Sequence, residues 1–324
     1  MNGQLEKRST GEMNLTRLIL LLAFIAVSLT SVPAEGAASR ARATLHANEA
    51  PAQETGAATP ASKEATVFGF KIHYLEAGSG PTLILLHGLG GNSGNWSFNI
   101  GPLSRKYRVI VPDQIGFGTS DKPQIEYRVE TYVDFLDRFM SELKIPKASL
   151  VGNSMGGWVA AAYAIEHPEK VESLVLADAA GFALPKDFDA KLLSSLNPST
   201  RMQTRAILGL VFYNKVLFSS DTAVDMALTQ RMNAGDGYTI SKLVESMIRG
   251  EDVLDNRLGK ITQPTLIIWG RQDGLLKLSE GERLQREIPK SKLIVFEQCG
   301  HAPMAEKAGE FNDAVLSFIS GQKN

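Results

Sequence analysis

Between Thr66 and Ile319 the chain alternates short apolar runs with segments whose apolar residues recur every three or four positions. The short runs, Thr82 to Leu86, Tyr107 to Val111, Ser149 to Gly152, Val171 to Leu176, Thr265 to Trp269 and Lys292 to Phe296, read as strands. Thr66 to Tyr74 reads as an opening hairpin. Several runs are apolar at nearly every position, the mark of a strand covered on both faces. Tyr132, Phe135, Leu136, Phe139, Met140 and Leu143 form an apolar helical stripe; Phe311, Val315, Leu316 and Ile319 form another on a closing helix from about Ala308 to Ile319. The pattern predicts an α/β fold, a mostly parallel central sheet flanked by helices. One stretch, residues 181–260, has no strand pattern and only helical ones such as Arg205 to Phe212. Inserted between two strands of a parallel sheet, it is expected to lie over their carboxyl ends as a helical lid.

The amino-terminal part follows other rules. Arg17 precedes an apolar run, Leu18 to Val27, and Ser31-Val32-Pro33-Ala34 follows it. A basic flank, a short apolar segment and small residues describe an export signal peptide over residues 1–35. The run is shorter than the roughly 20 residues that span a bilayer; a retained anchor is the alternative, and only then is a membrane partner expected. Met13 lies nearer the apolar run, so residues 1–12 are read as an overextended start. Residues 36–64 are rich in Ala, Thr, Glu and Pro and read as a flexible linker. Residues 65–322 then form the folded domain, periplasmic or secreted. The formal net charge of −1 gives no electrostatic reason to expect nucleic acid as a partner. The sole cysteine, Cys299, cannot form an intramolecular disulfide.

Candidate chemistry centres on Leu150-Val151-Gly152-Asn153-Ser154-Met155-Gly156-Gly157-Trp158. An apolar strand running into Gly-x-Ser-x-Gly and then a helix is a nucleophile elbow: a serine on a sharp turn, flanked by glycines because strand and helix approach closely. A serine hydroxyl needs a base, and of five histidines His301, on the loop after the last strand, is the candidate. Asp273, after the preceding strand, completes the order Ser, Asp, His and would orient the imidazole; Asp178, after strand Val171 to Leu176, is the rival position. The oxyanion donors are assigned to the backbone N–H of Met155 and, from the glycine-rich turn His87-Gly88-Leu89-Gly90-Gly91, that of Leu89. Asp113 is read as a structural carboxylate that orders its own loop, and Trp158 as a packing residue. No metal or organic cofactor is expected.

Together, His87-Gly88, the turn from Asp113 to Asp121, the elbow, Gly270-Arg271-Gln272-Asp273 and Cys299-Gly300-His301 resemble the α/β-hydrolase family over residues 65–322. The elbow and the Asp113-Gln114-Ile115-Gly116-Phe117-Gly118 turn are similar to those of meta-cleavage-product hydrolases. The resemblance implies carbon–carbon bond cleavage in vinylogous diketo acids, with a tryptophan directly after the catalytic histidine; here that position is Ala302. Ser154 differs from the aspartate nucleophile of haloalkane dehalogenases and epoxide hydrolases. The expectation is a serine hydrolase of carboxylesterase type acting on a small-molecule ester. Carbon–carbon hydrolysis, lipase action and a non-catalytic binding module are the alternatives.

Overall fold

The computed structural model describes residues 59–184, 193 and 195–322. The signal-peptide reading and nearly all of the linker reading lie outside the described residues. Eight strands, β1 (Ala61–Val67), β2 (Phe70–Ala77), β3 (Thr82–Leu86), β4 (Arg108–Pro112), β5 (Ala148–Asn153), β6 (Val171–Ala177), β7 (Thr265–Gly270) and β8 (Ser291–Phe296), form one sheet in the order β1-β2-β4-β3-β5-β6-β7-β8. The first two pairings, β1 with β2 and β2 with β4, are antiparallel; all others are parallel.

The central strands read as unbroken apolar runs because each of their two faces is buried. Leu86, Leu150, Leu174, Leu176 and Ile267 point into the hydrophobic cluster on one face, whereas Leu85, Val151, Val175, Leu266 and Ile268 point into the cluster on the other. Alternate residues thus serve opposite cores, as the two-residue repeat of a strand requires.

Helices cover both faces: α1 (Ser97–Ser104), α2 (Val129–Glu142), α3 (Met155–Glu166), α4 (Arg201–Val211), α5 (Lys215–Phe218), α6 (Asp221–Ala234), α7 (Gly237–Arg249), α8 (Leu278–Glu287), α9 (Pro303–Glu306) and α10 (Ala308–Gly321). The stripe at Tyr132, Leu136, Phe139 and Met140 is the buried side of α2, and Phe311, Val315 and Ile319 are that of α10. Other helices show a weaker apolar stripe. In α1 the interior Gly101-Pro102 weakens the pattern, and α8 buries only Gly281 and Leu284.

One boundary differs from the sequence reading. Residues 61–64, assigned to the linker, belong to β1. As an edge strand β1 is exposed along most of its length, so no apolar alternation marks it. It is held by its register with β2, from Ala61↔Glu76 to Val67↔Phe70, and by the Lys63 ammonium donating to Glu76 at 2.6 Å.

Sheet order places the site. From β3 the chain moves outward to β4, then crosses back so that β5 pairs with β3 on its other side. The crevice beyond the carboxyl ends of β3 and β5 is therefore a topological switch point, where open α/β sheets bind ligands. The Gly88 turn leaves β3 there, and Ser154 leaves β5. The described part of residues 181–260 carries α4 to α7 and a short 3₁₀ turn and no strand.

Candidate active site

Every residue of β5 is buried, and the strand ends directly in the elbow. Ser154 sits between β5 and α3 at φ 56° and ψ −121°, a left-handed conformation that disfavours side chains and costs about 1–3 kcal/mol. The surroundings hold it there: its N–H donates to the Ala177 carbonyl at 3.0 Å, and its carbonyl accepts from Trp158 and Ala180 N–H groups, each at 3.1 Å. The flanking glycines are sterically required. A Cβ on Gly156 would overlap the Leu86 carbonyl and lie 2.6 Å from that of His87; one on Gly157 would lie 2.6 Å from the Ala179 Cβ.

The two other expected partners meet. Asp273 lies three residues beyond β7 and His301 five beyond β8, and the His301 Nδ1 donates to Asp273 Oδ2 at 2.7 Å. Asp273 Oδ1 accepts from the Leu275 and Leu276 N–H groups at 2.7 and 3.0 Å. Three donors thus converge on one carboxylate whose side chain is wholly buried. With Nδ1 so committed, Nε2 is the ring nitrogen free to act as a base. Asn153 ties this pair to the elbow: its Nδ2 donates to the His301 carbonyl at 3.0 Å and to the Ala177 carbonyl at 3.2 Å.

The helical insertion clamps the same loops. The Val211 carbonyl, at the end of α4, accepts from the His301 N–H at 2.6 Å, and the Leu210 carbonyl accepts from the Gly274 N–H at 3.1 Å. Glu306 accepts from the Gly300 N–H at 2.7 Å with one oxygen and from the Tyr213 and Asn214 N–H groups, at 2.9 and 3.2 Å, with the other. Burial pushes its carboxyl up despite these donors. Neither Asn153 nor Glu306 was singled out from sequence. Asn153 adjoins the elbow serine, but no periodicity marks Glu306.

The glycine-rich turn is ordered from below by His87. This fully buried ring accepts the Gln114 N–H at Nε2, 3.1 Å, and donates from Nδ1 to the Gly88 carbonyl, 2.8 Å. Burial pushes its pKa down, with the Gly88 carbonyl partly opposing, so the ring is neutral and its tautomer fixed. A Cβ on Gly88 would lie 3.1 Å from that of Ser154, which puts the Leu89 peptide beside the elbow. The Met155 N–H opens α3, where first-turn donors have no partner within the helix. From the insertion, the Ile240 side chain of α7 closes over Gly90.

Asp113 organises the neighbouring loop. It accepts from the Ser93 N–H at 2.6 Å, the Thr119 N–H at 2.9 Å and the His73 Nδ1 at 2.9 Å. Burial alone would raise its pKa, but His73 and these two amides hold the carboxyl well below the usual range. A depressed folded-state pKa contributes stability that is present above the unfolded value and is lost as pH falls through the folded one. Asp113→Asn is therefore expected to cost about 2 kcal/mol at pH 7, with a gap from wild type that narrows at pH 3. Urea denaturation at the two pH values measures it; a gap that does not narrow would show that the carboxylate charge is not its source.

Residues 81–308 match the family model described as the alpha/beta hydrolase fold. The chain belongs to the α/β-hydrolase family. It is 35% identical to 2-hydroxy-6-oxo-6-phenylhexa-2,4-dienoate hydrolase of Comamonas testosteroni, over 77% of this chain and 91% of that protein. Among solved structures, it resembles the meta-cleavage product hydrolase CumD of Pseudomonas fluorescens at 31% identity and a TM-score of 0.73, over 80% of this chain and 97% of that one. It also resembles a bacterial membrane phospholipase A at 30% identity and a TM-score of 0.72, over 82% and 87% of the two chains.

Three further residues of this α/β-hydrolase lie in or beside the site. Asp178, the rival acid, does not pair with His301: its Oδ1 accepts from the Gly270 N–H at 2.9 Å, and its buried Oδ2 has no hydrogen-bond partner. Asp178, Asp273 and His301 bring ligand-type atoms within 4.8 Å of one another, the spacing a metal ion would need. Both Asp273 oxygens and His301 Nδ1 are already committed to hydrogen bonds, however, so the donor set fits a hydrogen-bonded triad better than a metal site. Arg231 of α6 pairs with the buried Asp236, yet its Nη1 is buried without a partner and lies 3.7 Å from where a Cβ on Gly90 would sit. Trp158 packs as expected, and its indole N–H donates to the Asp252 carbonyl at 2.9 Å, tying α3 to the base of the insertion.

Proposed function

We propose that the protein is a serine hydrolase that cleaves carboxylic esters through an acyl-enzyme intermediate. The observation that carries the proposal is the Asp273–His301 pair, joined by the Asn153 amide to the strand end that bears the strained Ser154. Ser154 Oγ attacks the ester carbonyl while His301 Nε2 takes its proton. The Leu89 and Met155 N–H groups receive the developing oxyanion. Asp273 holds the ring in the required tautomer and stabilises the imidazolium, which then protonates the departing alkoxide. Water, deprotonated by His301, attacks the acyl-enzyme and releases the acid.

Ala302 and its surroundings support an ester with an apolar acyl group. Ala302 is small and buried, directly follows His301, and belongs to an apolar cluster with Met304 and the stacked Phe212–Phe218 rings. A relative named as a phospholipase A points the same way. The second reading is carbon–carbon hydrolysis of a keto acid. It is favoured by the relatives named as dienoate and meta-cleavage product hydrolases, and by the unpartnered Arg231 Nη1 beside Gly90, a cation suited to a substrate carboxylate.

A panel of p-nitrophenyl esters of graded acyl length, run beside one dienoic diketo acid, separates the two. The best ester is expected to exceed the diketo acid in kcat/KM by about a hundredfold, equivalent to roughly 2.7 kcal/mol of transition-state stabilisation. The opposite ranking assigns the site to carbon–carbon cleavage.

A further inference from the structure

The carboxyl of Asp178 has no place in the steps above, yet it is fully buried at the back of the site. Asp178 follows β6 at φ 43°, a left-handed backbone conformation that brings its side chain to the ends of β7 and β8. One oxygen accepts the Gly270 N–H; the other is buried, without a partner, and close to Asp273 and His301.

Two ionised carboxylates cannot share so dry a place. The distribution of donors decides which one keeps the charge. Asp273 receives three, the Leu275 and Leu276 amides and the His301 ring, whereas Asp178 receives only the Gly270 amide. Protonating Asp178 at its orphan oxygen converts an unpaired acceptor into a donor facing Asp273.

We propose that Asp178 is held as the neutral carboxylic acid and donates its proton to Asp273, making it a positioning residue for the Asp273–His301 pair. By drawing on the charge of Asp273, the Asp178 hydroxyl moderates how strongly that carboxylate stabilises the His301 imidazolium. His301 is thereby kept available as a base at lower pH. Burial, followed by the Asp273 charge, pushes the Asp178 carboxyl well above the usual carboxylate range. The other titratable groups facing this cluster are Glu306 from α9, Cys299 from the loop after β8, and Glu280 from α8. Glu280 is the one able to confuse a titration, since burial and then the Asp273 charge push it up to about 7.

The proposal rests on the triad reading, so its test uses a signal that needs no turnover: the His301 ring resonance followed by NMR against pH in the full chain. Measurements are made in a Glu280→Gln background to remove the interfering carboxyl. Asp178→Asn keeps a neutral donor and acceptor of the same shape, and its titration midpoint is expected to stay within about 0.3 pH unit of the parent. Asp178→Ala removes the donor to Asp273, and the midpoint is expected to rise by roughly half a unit. If Asp178 is instead ionised, either change deletes a negative charge close to the ring, and the midpoint falls by more than about one unit. That result overturns the proposal, as does an unchanged midpoint in Asp178→Ala. Thermal melts show whether each variant is folded. Ester kinetics on the same proteins report on the triad reading alone.

Discussion

Ser154→Ala is expected to lower kcat on a p-nitrophenyl ester by roughly ten-thousandfold to a millionfold, the range over which a triad nucleophile acts as a unit with its base. The fold should survive the change. The hydrogen bonds that hold the elbow run through the backbone N–H and carbonyl of residue 154, to Ala177, Trp158 and Ala180, and alanine retains them. Alanine also carries a Cβ, so the strain at φ 56° is neither added nor relieved. The melting temperature should therefore move by no more than about 2 °C, the effect of about 0.5–1 kcal/mol in a domain of this size. Turnover above about one part in a hundred of wild type in a folded Ser154→Ala protein would remove the serine mechanism. A collapse of folding would instead show that the hydroxyl has a structural part that these contacts do not reveal.

The second large effect is on stability. A Cβ on Gly270 would overlap the Gly300 carbonyl oxygen and lie 2.7 Å from that of Cys299. Both obstacles are backbone, and the Gly300–His301 segment is pinned by Glu306, Val211 and Asn153, so it has no room to swing aside. Gly270→Ala is expected to cost about 3 kcal/mol or more as an overpacked core position. In a domain of this size that is a fall of roughly 6–12 °C in melting temperature. Activity should fall further than stability alone implies, because the displaced loop carries His301 while the Gly270 N–H itself supports Asp178. Gly209→Ala in α4, where a Cβ meets nothing within 4 Å, is the control and should be neutral or slightly stabilising. A melt of Gly270→Ala within about 2 °C of wild type would show that the two loops are not locked together.

Much of this could be read along the chain. The central strands were legible because burial on both faces makes them continuously apolar, and α2 and α10 because a one-sided core leaves a helical stripe. The elbow was legible because a strained serine between closely packed elements demands glycine at Gly152 and Gly156, a steric requirement that leaves few alternatives. Other features left no such trace. The first four residues of β1 are solvent-exposed and owe their order to pairing with β2. Only a single turn of α8 faces inward. Glu306 and Asn153 act through partners 93 and 148 positions away, Arg231 is brought beside Gly90 from a distant part of the chain, and a polar residue in a loop or on a helix does not announce such neighbours.

The sequence by itself determined the fold class, the elbow at Ser154, and the order in which an acid and a histidine follow it, since periodicity and local steric demands are written in neighbouring residues. Only the tertiary structure showed which carboxyl reaches His301 Nδ1, that of Asp273, and which is left to the Gly270 amide, that of Asp178. It also showed that the end of α4 holds the loops of both Asp273 and His301, through the Leu210 and Val211 carbonyls. Hydrogen bonds between segments distant in sequence form only where the crossover of the sheet brings strand ends to one edge, and no local pattern encodes that meeting.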